Sequence, residues 1–492
     1  MSSINRSEFL KLLAGGGFGM FFFSSCKNIL QEQPYSQIAP GNLLTSQDGV
    51  TAVLASAYGN ANAISKYFVN DLSEWCTDLS WQTNGGENRE AVLYINFNWD
   101  PSAGGLNNYY NNYYGAIRDA NTILDNKDQM SKIANADELI AEARFVRALS
   151  YQYLHLMFGP TPLRKSNNDK LDLPKASESD MLSFIESEYK AVISTLPDPG
   201  KEAAYGRATS GAARGLLCKF YLNTKQWQKA ADMAKEIINM GYYNLFPNFM
   251  DMLKVSNEGN REMIWVFPYS AKGHGGQEAN LIANGTFPPG FQKWPRTGLV
   301  MQSNWNNWAS QYRLRDAFYN SFDPNDDRIK PIMTEYINAK GNTINLLNTK
   351  DDTRSFRYWP DPNAQGNFHG NDIPAVRYAD ILLTRAEALN ELNGPNQESI
   401  DLINQVRTRA GMSNLQLSGF SSKDALRSHI LLERGWEFYD EGKRREDLIR
   451  MGKFIEYAHN RGVSHADSHQ VLYPIPQPAI DANPNLKQNP GY

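Results

Sequence analysis

Glu433, Glu437 and Glu441 recur every fourth residue in ERGWEFYDEGKRREDL, beside Arg434 and the basic run Lys443 to Arg445. Glycoside hydrolysis uses two carboxylates, but they must flank the sugar from opposite sides. Residues at i and i+4 share one face of one helix, so this trio reads as structural ion pairing. His459, His465 and His469 lie within eleven residues, and the last two form an H-x3-H that would suit a metal on a helix. No HExxH glutamate accompanies them and Gly462 loosens the segment, so no metal site is expected. Asp323-Pro324-Asn325-Asp326-Asp327 imitates the start of a calcium loop. Arg328 stands where that loop needs glycine and Thr334 where it needs a bidentate glutamate, so a capped turn is expected instead. Phosphate loops, nucleophile elbows and dinucleotide fingerprints are missing from the sequence, and no cofactor and no catalysis are expected.

What remains is binding chemistry. Trp75 and Trp81 lie in DLSEWCTDLSWQTNGGENRE, which slides from a helical start into a Gly/Asn-rich loop. Trp81 is the better candidate, with Gln82 and Asn84 beside it. Sugar rings lay C–H faces on indole while their hydroxyls seek amides and carboxylates, so tryptophan beside Asn or Gln is apt. Further on, FPPGFQKWPRTGLVMQSNWNNWASQ carries Phe287, Phe291, Trp294, Trp305 and Trp308 as candidate contacts, with Arg296, Asn304 and Asn306 as polar ones. Lys293 and Arg296 near Trp294 hint at acidic sugars. The run NNYYNNYY, residues 107–114, continues into GAIRDANTILDN, so its tyrosines are expected to pack against a helical hairpin.

These residues need a scaffold, and the periodicity supplies one. Leu139 to Phe158 places Phe145, Leu149 and Tyr153 on one stripe and stops at Gly159-Pro160. Ser177 to Leu196 makes its hairpin partner. A second hairpin runs from Thr209 to Asn223 and from Gln226 to Met240, with Gly241 as the left-handed cap. A third runs from Tyr378 to Asn393 and from Gln397 to Ala410, with Gly411 as cap. Helical pairs of about 34 residues have the spacing of degenerate tetratricopeptide-like repeats. Residues 244–373 change character, rich in Gly, Pro, Asn and Trp, and read as a loop-rich insertion with short strands and helices. A large loop region on a rigid scaffold is where function usually sits.

At the N-terminus, Arg6 and Lys11 precede the apolar run Leu12 to Phe23, which at about 12 residues is too short to span a bilayer. Residues 1–25 read as an export signal. Cys26, after Phe23-Ser24-Ser25, then stands where a lipoprotein receives its lipid, and residues 26–41, with Pro34 and Pro40, read as a tether before a single domain at 42–492. The chain has three cysteines, and Cys76 and Cys218 show no disulfide framework. A formal charge of −4 gives no nucleic-acid footprint, and 41% hydrophobic residues with a mean hydropathy of −0.53 make a soluble body with ample core.

The segments RYADILLTRAEALNEL, INQVRTRAG, ERGWEFYDEGKRREDLIRMGKF and the closing YPIPQPAIDANPNLKQNPGY resemble the SusD/RagB family of Bacteroidetes outer-membrane lipoproteins. YYGAIRDANTILDN and EARFVRALSYQYLHLMFGPTPL fit as well, so the resemblance runs over nearly the whole mature chain. It implies a mainly α-helical, surface-exposed, lipid-anchored protein with tetratricopeptide-like hairpins and an irregular ligand-facing half. It further implies the role of a lid on a SusC-like TonB-dependent transporter, binding an oligosaccharide without cleaving it. An aromatic platform built from an N-terminal loop and the insertion is implied too, a location that carries over to Trp81, Trp294 and Trp305. Peptide capture within the family, a helical-repeat module for protein partners and a glycan-active enzyme are the alternatives.

Overall fold

The computed structural model describes residues 43–62, 68–83, 85–271, 279–308 and 311–492. Leu44–Tyr492 form one compact unit. The expected export signal, Cys26 and the expected tether lie outside the described residues.

Helices make the frame. α1 (Gln47–Asn62), α2 (Gly104–Asp125), α3 (Ala136–Phe158), α4 (Glu178–Val192), α5 (Ser210–Asn223) and α6 (Trp227–Asn239) come first, and α7 (Tyr378–Asn393), α8 (Gln397–Arg409), α9 (Lys423–Phe438) and α10 (Arg444–Arg450) follow the insertion. α3 pairs with α4, α5 with α6 and α7 with α8, and α6 also packs on α7, so the second hairpin stacks directly on the third across the intervening 138 residues of sequence. The helix starts are chemical: Ser177, Thr209, Asn396 and Ser422 each accept a backbone N–H with the side-chain oxygen. Gly241, Gly394 and Gly411 end helices at φ 64°, 76° and 73°, where a side chain would be strained.

The tyrosines of NNYYNNYY lie along α2 with Tyr109, Tyr110 and Tyr113 buried, and Tyr113 stacks on Tyr153 of α3 at 5.7 Å between centroids. Their burial follows the helical period, not strict alternation.

The insertion is built from short pieces. β2 (Met263–Phe267) pairs antiparallel with β10 (Ile373–Arg377), which runs straight into α7. This ribbon lies on α5 where Gly215 leaves room, since a Cβ there would come within 2.7 Å of Ile264 Cγ2. Between them, β3 (Phe291–Trp294), β4 (Leu299–Val300), β7 (Glu335–Asn338) and β8 (Thr343–Asn345) form a four-stranded sheet, and β6 (Ile332–Met333) pairs with β9 (Arg354–Ser355). β1 (Ser80–Gln82) comes from the N-terminal part and pairs with β5 (Tyr312–Leu314) of the insertion. The main core is shared by the helices and the β2/β10 ribbon, and Phe287, Phe291, Trp294, Trp305, Met333 and Phe356 belong to a second, smaller core inside the insertion.

The Glu433, Glu437 and Glu441 trio is at most 2% exposed. Arg328 bridges Asp326, Glu433 and Glu437, Arg377 bridges Glu262, Glu437 and Glu441, and Arg357, Arg407, Arg409 and Lys443 complete the network. Burial alone would raise the Glu433 carboxyl, but Arg328, His429 and Arg407 hold it down to about 2. The trio is therefore a seam of ion pairs with the insertion; Glu433 and Glu437 lie on α9, but Glu441 falls beyond its end at Phe438, so the three do not share one helix as the spacing suggests. The calcium-like segment belongs to the same seam: Asp326 caps Arg328 N at 2.9 Å and grips its guanidinium at 2.9 and 2.7 Å.

Candidate functional site

The site begins where the N-terminal part meets the insertion. In β1, alternation turns Ser80 and Gln82 inward and leaves Trp81 half-buried opposite Arg313 of β5. The indole Nε1 of Trp81 donates to the Asp351 carbonyl at 2.9 Å, which fixes the ring plane. The guanidinium carbons of Arg313 and Arg315 stand 5.7 and 6.0 Å from the ring centroid, within cation–π range. Arg313 is held by Asp352 at 2.9 Å, and burial depresses the proton affinity of Arg315.

Just before β5 the chain carries Trp308, also half-buried. Its backbone N–H donates to the Asn284 carbonyl at 2.8 Å and its Nε1 to Asn367 Oδ1 at 2.7 Å. The same Asn367 oxygen accepts from Asn306 at 2.7 Å, so one amide sets both an indole and a neighbouring exposed asparagine. Asn307, Asn363 and Gln365 are exposed around them. Below, His369 holds the loop: its Nδ1 accepts from Asp361 N at 3.1 Å, its Nε2 meets Asn284 Oδ1 at 3.3 Å, and burial pushes the imidazole down to about 4. A neutral ring is what accepting an amide requires. Trp81 with its two cations and Trp308 with its surrounding amides each present chemistry suited to polar, ring-shaped ligands.

Four expected aromatic contacts are corrected: Phe287 and Phe291 are 0% and 3% exposed in the insertion core, and two tryptophans join them. Trp294 is 1% exposed, because β3 turns it with Phe291 into the insertion core, 5.5 Å from Phe356. Trp305 is 7% exposed, lies flat over Phe287 at 5.8 Å and donates Nε1 to the Asp361 carbonyl at 2.8 Å. Both are core residues of the insertion and not ring platforms. Arg296 is exposed, but its guanidinium donates to the carbonyls of Lys330 and Ile332 and covers the edge of that core, 5.0 Å from the Trp294 centroid. Asn304 is likewise spent on the Pro362 and Ala364 carbonyls. Asn84 lies outside the described residues. Trp75 is 1% exposed and packs edge-on to Tyr312.

Sequence reasoning missed Arg313, Arg315 and Asn367. The alternating Arg-Leu-Arg at 313–315 and the amide-and-glycine segment NAQGNF at 363–368 were the available signals. The three histidines part company: His459 meets the Ala466 carbonyl at 2.8 Å, His465 the Asn96 carbonyl at 2.8 Å, and His469 the ring of Tyr492 at 4.8 Å. Cys76 and Cys218 are both buried free thiols, and burial pushes Cys76 up to about 11.

The sequence model described as the SusD family matches residues 261–492, and one described as starch-binding and associating with the outer membrane matches residues 29–222. A SusD-like protein of Formosa agariphila is 27% identical, over 96% of this chain and 97% of its own. The starch-binding protein SusD of Bacteroides thetaiotaomicron is 25% identical, over 84% and 82%. Among solved structures, a laminarin-binding SusD-like protein superposes with a TM-score of 0.78 at 23% identity, covering 91% of this chain and all of that one. With the two sequence models together spanning most of its length, the chain belongs to the SusD/RagB family.

Proposed function

We propose that this protein captures an oligosaccharide at the outer cell surface, on the face that carries Trp81 and Trp308, and acts as a lid on a SusC-like TonB-dependent transporter. The observation that carries the capture reading is the pair of half-buried indoles whose N–H groups are tied to Asp351 and Asn367. Tethering the edge of each ring fixes its plane before a ligand arrives and so lowers the ordering cost on association. Starch and laminarin binding by the named relatives supports a neutral glucan as the first ligand to try. The transporter partnership rests on family membership, and the anchor rests on Cys26 in its lipobox-like setting.

Titration calorimetry of the purified protein against maltooligosaccharides, laminarioligosaccharides, acidic oligosaccharides and a mixed peptide pool, with a parallel assay for cleavage products, tests the capture reading. Saturable binding to one glycan class without cleavage is expected. Binding of peptides alone, or product release, overturns it. The anchor is tested separately: Cys26→Ser is expected to abolish fatty-acid labelling and membrane fractionation, and retained labelling rejects the anchor. Co-purification of the wild-type protein with a TonB-dependent barrel from outer membranes tests the lid.

A further inference from the structure

A polar cleft of about 250 Å³ opens on the helical scaffold, between α2 and the segment that follows α3. It is lined by Asn111, Tyr114, Arg118, Asn121, Arg164 and Asn167. Sugar-like recognition groups dominate this wall: three amides, two guanidiniums and a phenol. Gly115 in the same wall approaches Asn60 of α1 so closely that a Cβ would sit 3.2 Å from its amide carbon.

The groups are held in place by the backbone. Tyr151 donates to the Arg164 carbonyl at 2.8 Å and accepts from its N–H at 2.7 Å, and Asn121 adds a bond to the same carbonyl. Tyr114 donates to the Pro162 carbonyl at 2.7 Å. Asn167 spends its NH2 on the Arg118 carbonyl at 3.0 Å and on Thr122 Oγ1 at 2.9 Å. Asn111 spends its NH2 on Asn107.

The charge does not close in the same way. Arg118, exposed, is shared with Asp119 at 2.8 Å, and that carboxylate also accepts from Ser56 and Asn60. Arg164 makes no ion pair among the described residues; its Nη2 reaches only the Asp169 carbonyl at 3.3 Å, and its Nε is buried without a partner. Asp125 and Asp169 stand at the rim, but their carboxylates are occupied by the N–H groups of Asn167, Lys165 and Ser166, and neither lines the cleft. On α3 the buried Arg147 is met by the Glu188 carboxylate at 2.6 Å, a kind of partner that Arg164 lacks among the described residues. A guanidinium left open beside preset amides fits a carboxylate that arrives with a ligand.

We propose that this cleft is a second carbohydrate site, separate from the Trp81 and Trp308 face, which takes one acidic sugar residue. The sugar carboxylate sits on Arg164, with Arg118 beside it, and the ring hydroxyls meet Asn111 and Asn167 against the wall formed by Tyr114. The volume is below the roughly 300–1,000 Å³ of pockets that enclose drug-sized ligands, which suits a single ring. That ring can be a free uronate or the end residue of a longer chain.

The test is titration of the purified protein with D-glucuronate, D-glucose, inorganic sulfate and an oligosaccharide ending in glucuronate. Saturable binding of glucuronate, with glucose and sulfate much weaker, is expected. Equal affinity for the oligosaccharide identifies chain ends as a source, and tighter binding of the free sugar identifies the monosaccharide; both support the site. Arg164→Gln should weaken glucuronate about tenfold or more, as loss of a charged hydrogen-bonding partner does, with melting unchanged. Asn167→Asp, at an exposed position, should do the same by repelling the carboxylate and keeps the test alive should the arginine variant misfold. Trp81→Ala should leave glucuronate binding intact, so that failure of the aromatic face and failure of this cleft are told apart. No saturable binding, unchanged affinity in Asn167→Asp, sulfate binding as tight as glucuronate, or loss of binding in Trp81→Ala each overturns the proposal.

Discussion

The helical scaffold and the insertion solve the same problem with different materials. The scaffold buries apolar stripes and closes its charges in side-chain pairs, such as Arg434 between Asp380 and Asp447 and Arg450 on Glu387 and Asp447. The insertion has short strands and irregular backbone, so its side chains are spent on carbonyls: Trp305 on Asp361, Asn304 on Pro362 and Arg296 on Ile332. Where regular structure satisfies the backbone, side chains are released for packing; where it does not, they become structural ligands of the backbone. Polar and aromatic residues of the insertion are therefore poor guides to ligand contact until their hydrogen bonds are counted.

The largest effect that would sharpen this contrast lies in the seam between the two regions. Arg377→Met leaves Glu262, Glu437 and Glu441 facing one another with one fewer cation in a site that is fully buried. It should cost about 3–5 kcal/mol in urea unfolding. A change below 1 kcal/mol would show that the seam is not what joins the regions. Next comes Trp294→Ala, which empties part of the insertion core and should cost about 3–5 kcal/mol of stability. Trp308→Ala and Trp81→Ala should instead weaken glycan binding by about 1–3 kcal/mol with little change in melting. If Trp294→Ala lost binding at unchanged stability, the division between core and platform indoles would fail.

A pH response of opposite sign in the two regions completes the contrast. Glu433 in the seam is held at about 2, below its unfolded value, so its contribution is present above about 4.5 and is lost as pH falls from there towards 2. Asp372 in the insertion is raised by burial to about 6, although Tyr205 and the Tyr269 N–H both donate to it. Its folded form binds more protons than the unfolded chain between about 4 and 6, so its contribution declines as pH rises through that window. Asp372→Asn should flatten this decline, read as the difference in unfolding free energy between the variant and wild type at pH 4.5 and 7. A difference independent of pH would reject the assignment.

The hairpins were legible because a 3.6-residue stripe, an N-capping side chain and a C-terminal glycine all point the same way at Thr209 to Gly241 and Tyr378 to Gly411. That the carboxylate trio makes ion pairs was legible from its spacing, but its distant arginine partners and the end of α9 before Glu441 were not. The insertion was legible as a region, but the fates of its tryptophans were not. Trp294, Trp305 and Trp308 share one composition and lie within fifteen residues of each other. What separates them is a strand pairing at Trp294 and two acceptors far along the chain, the Asp361 carbonyl for Trp305 and the Asn367 side-chain oxygen for Trp308, and no local pattern encodes those.

The bond between Trp81 and the Asp351 carbonyl spans 270 residues. Contacts of such separation form late, because the closure entropy of the intervening chain must be overcome before they return any stability. The Trp81 indole therefore takes its orientation only once the insertion has folded and docked its β5 strand. Sugar binding at this face is thus a report of completed folding: a chain arrested with its early helices formed carries Trp81 but has no fixed surface to offer.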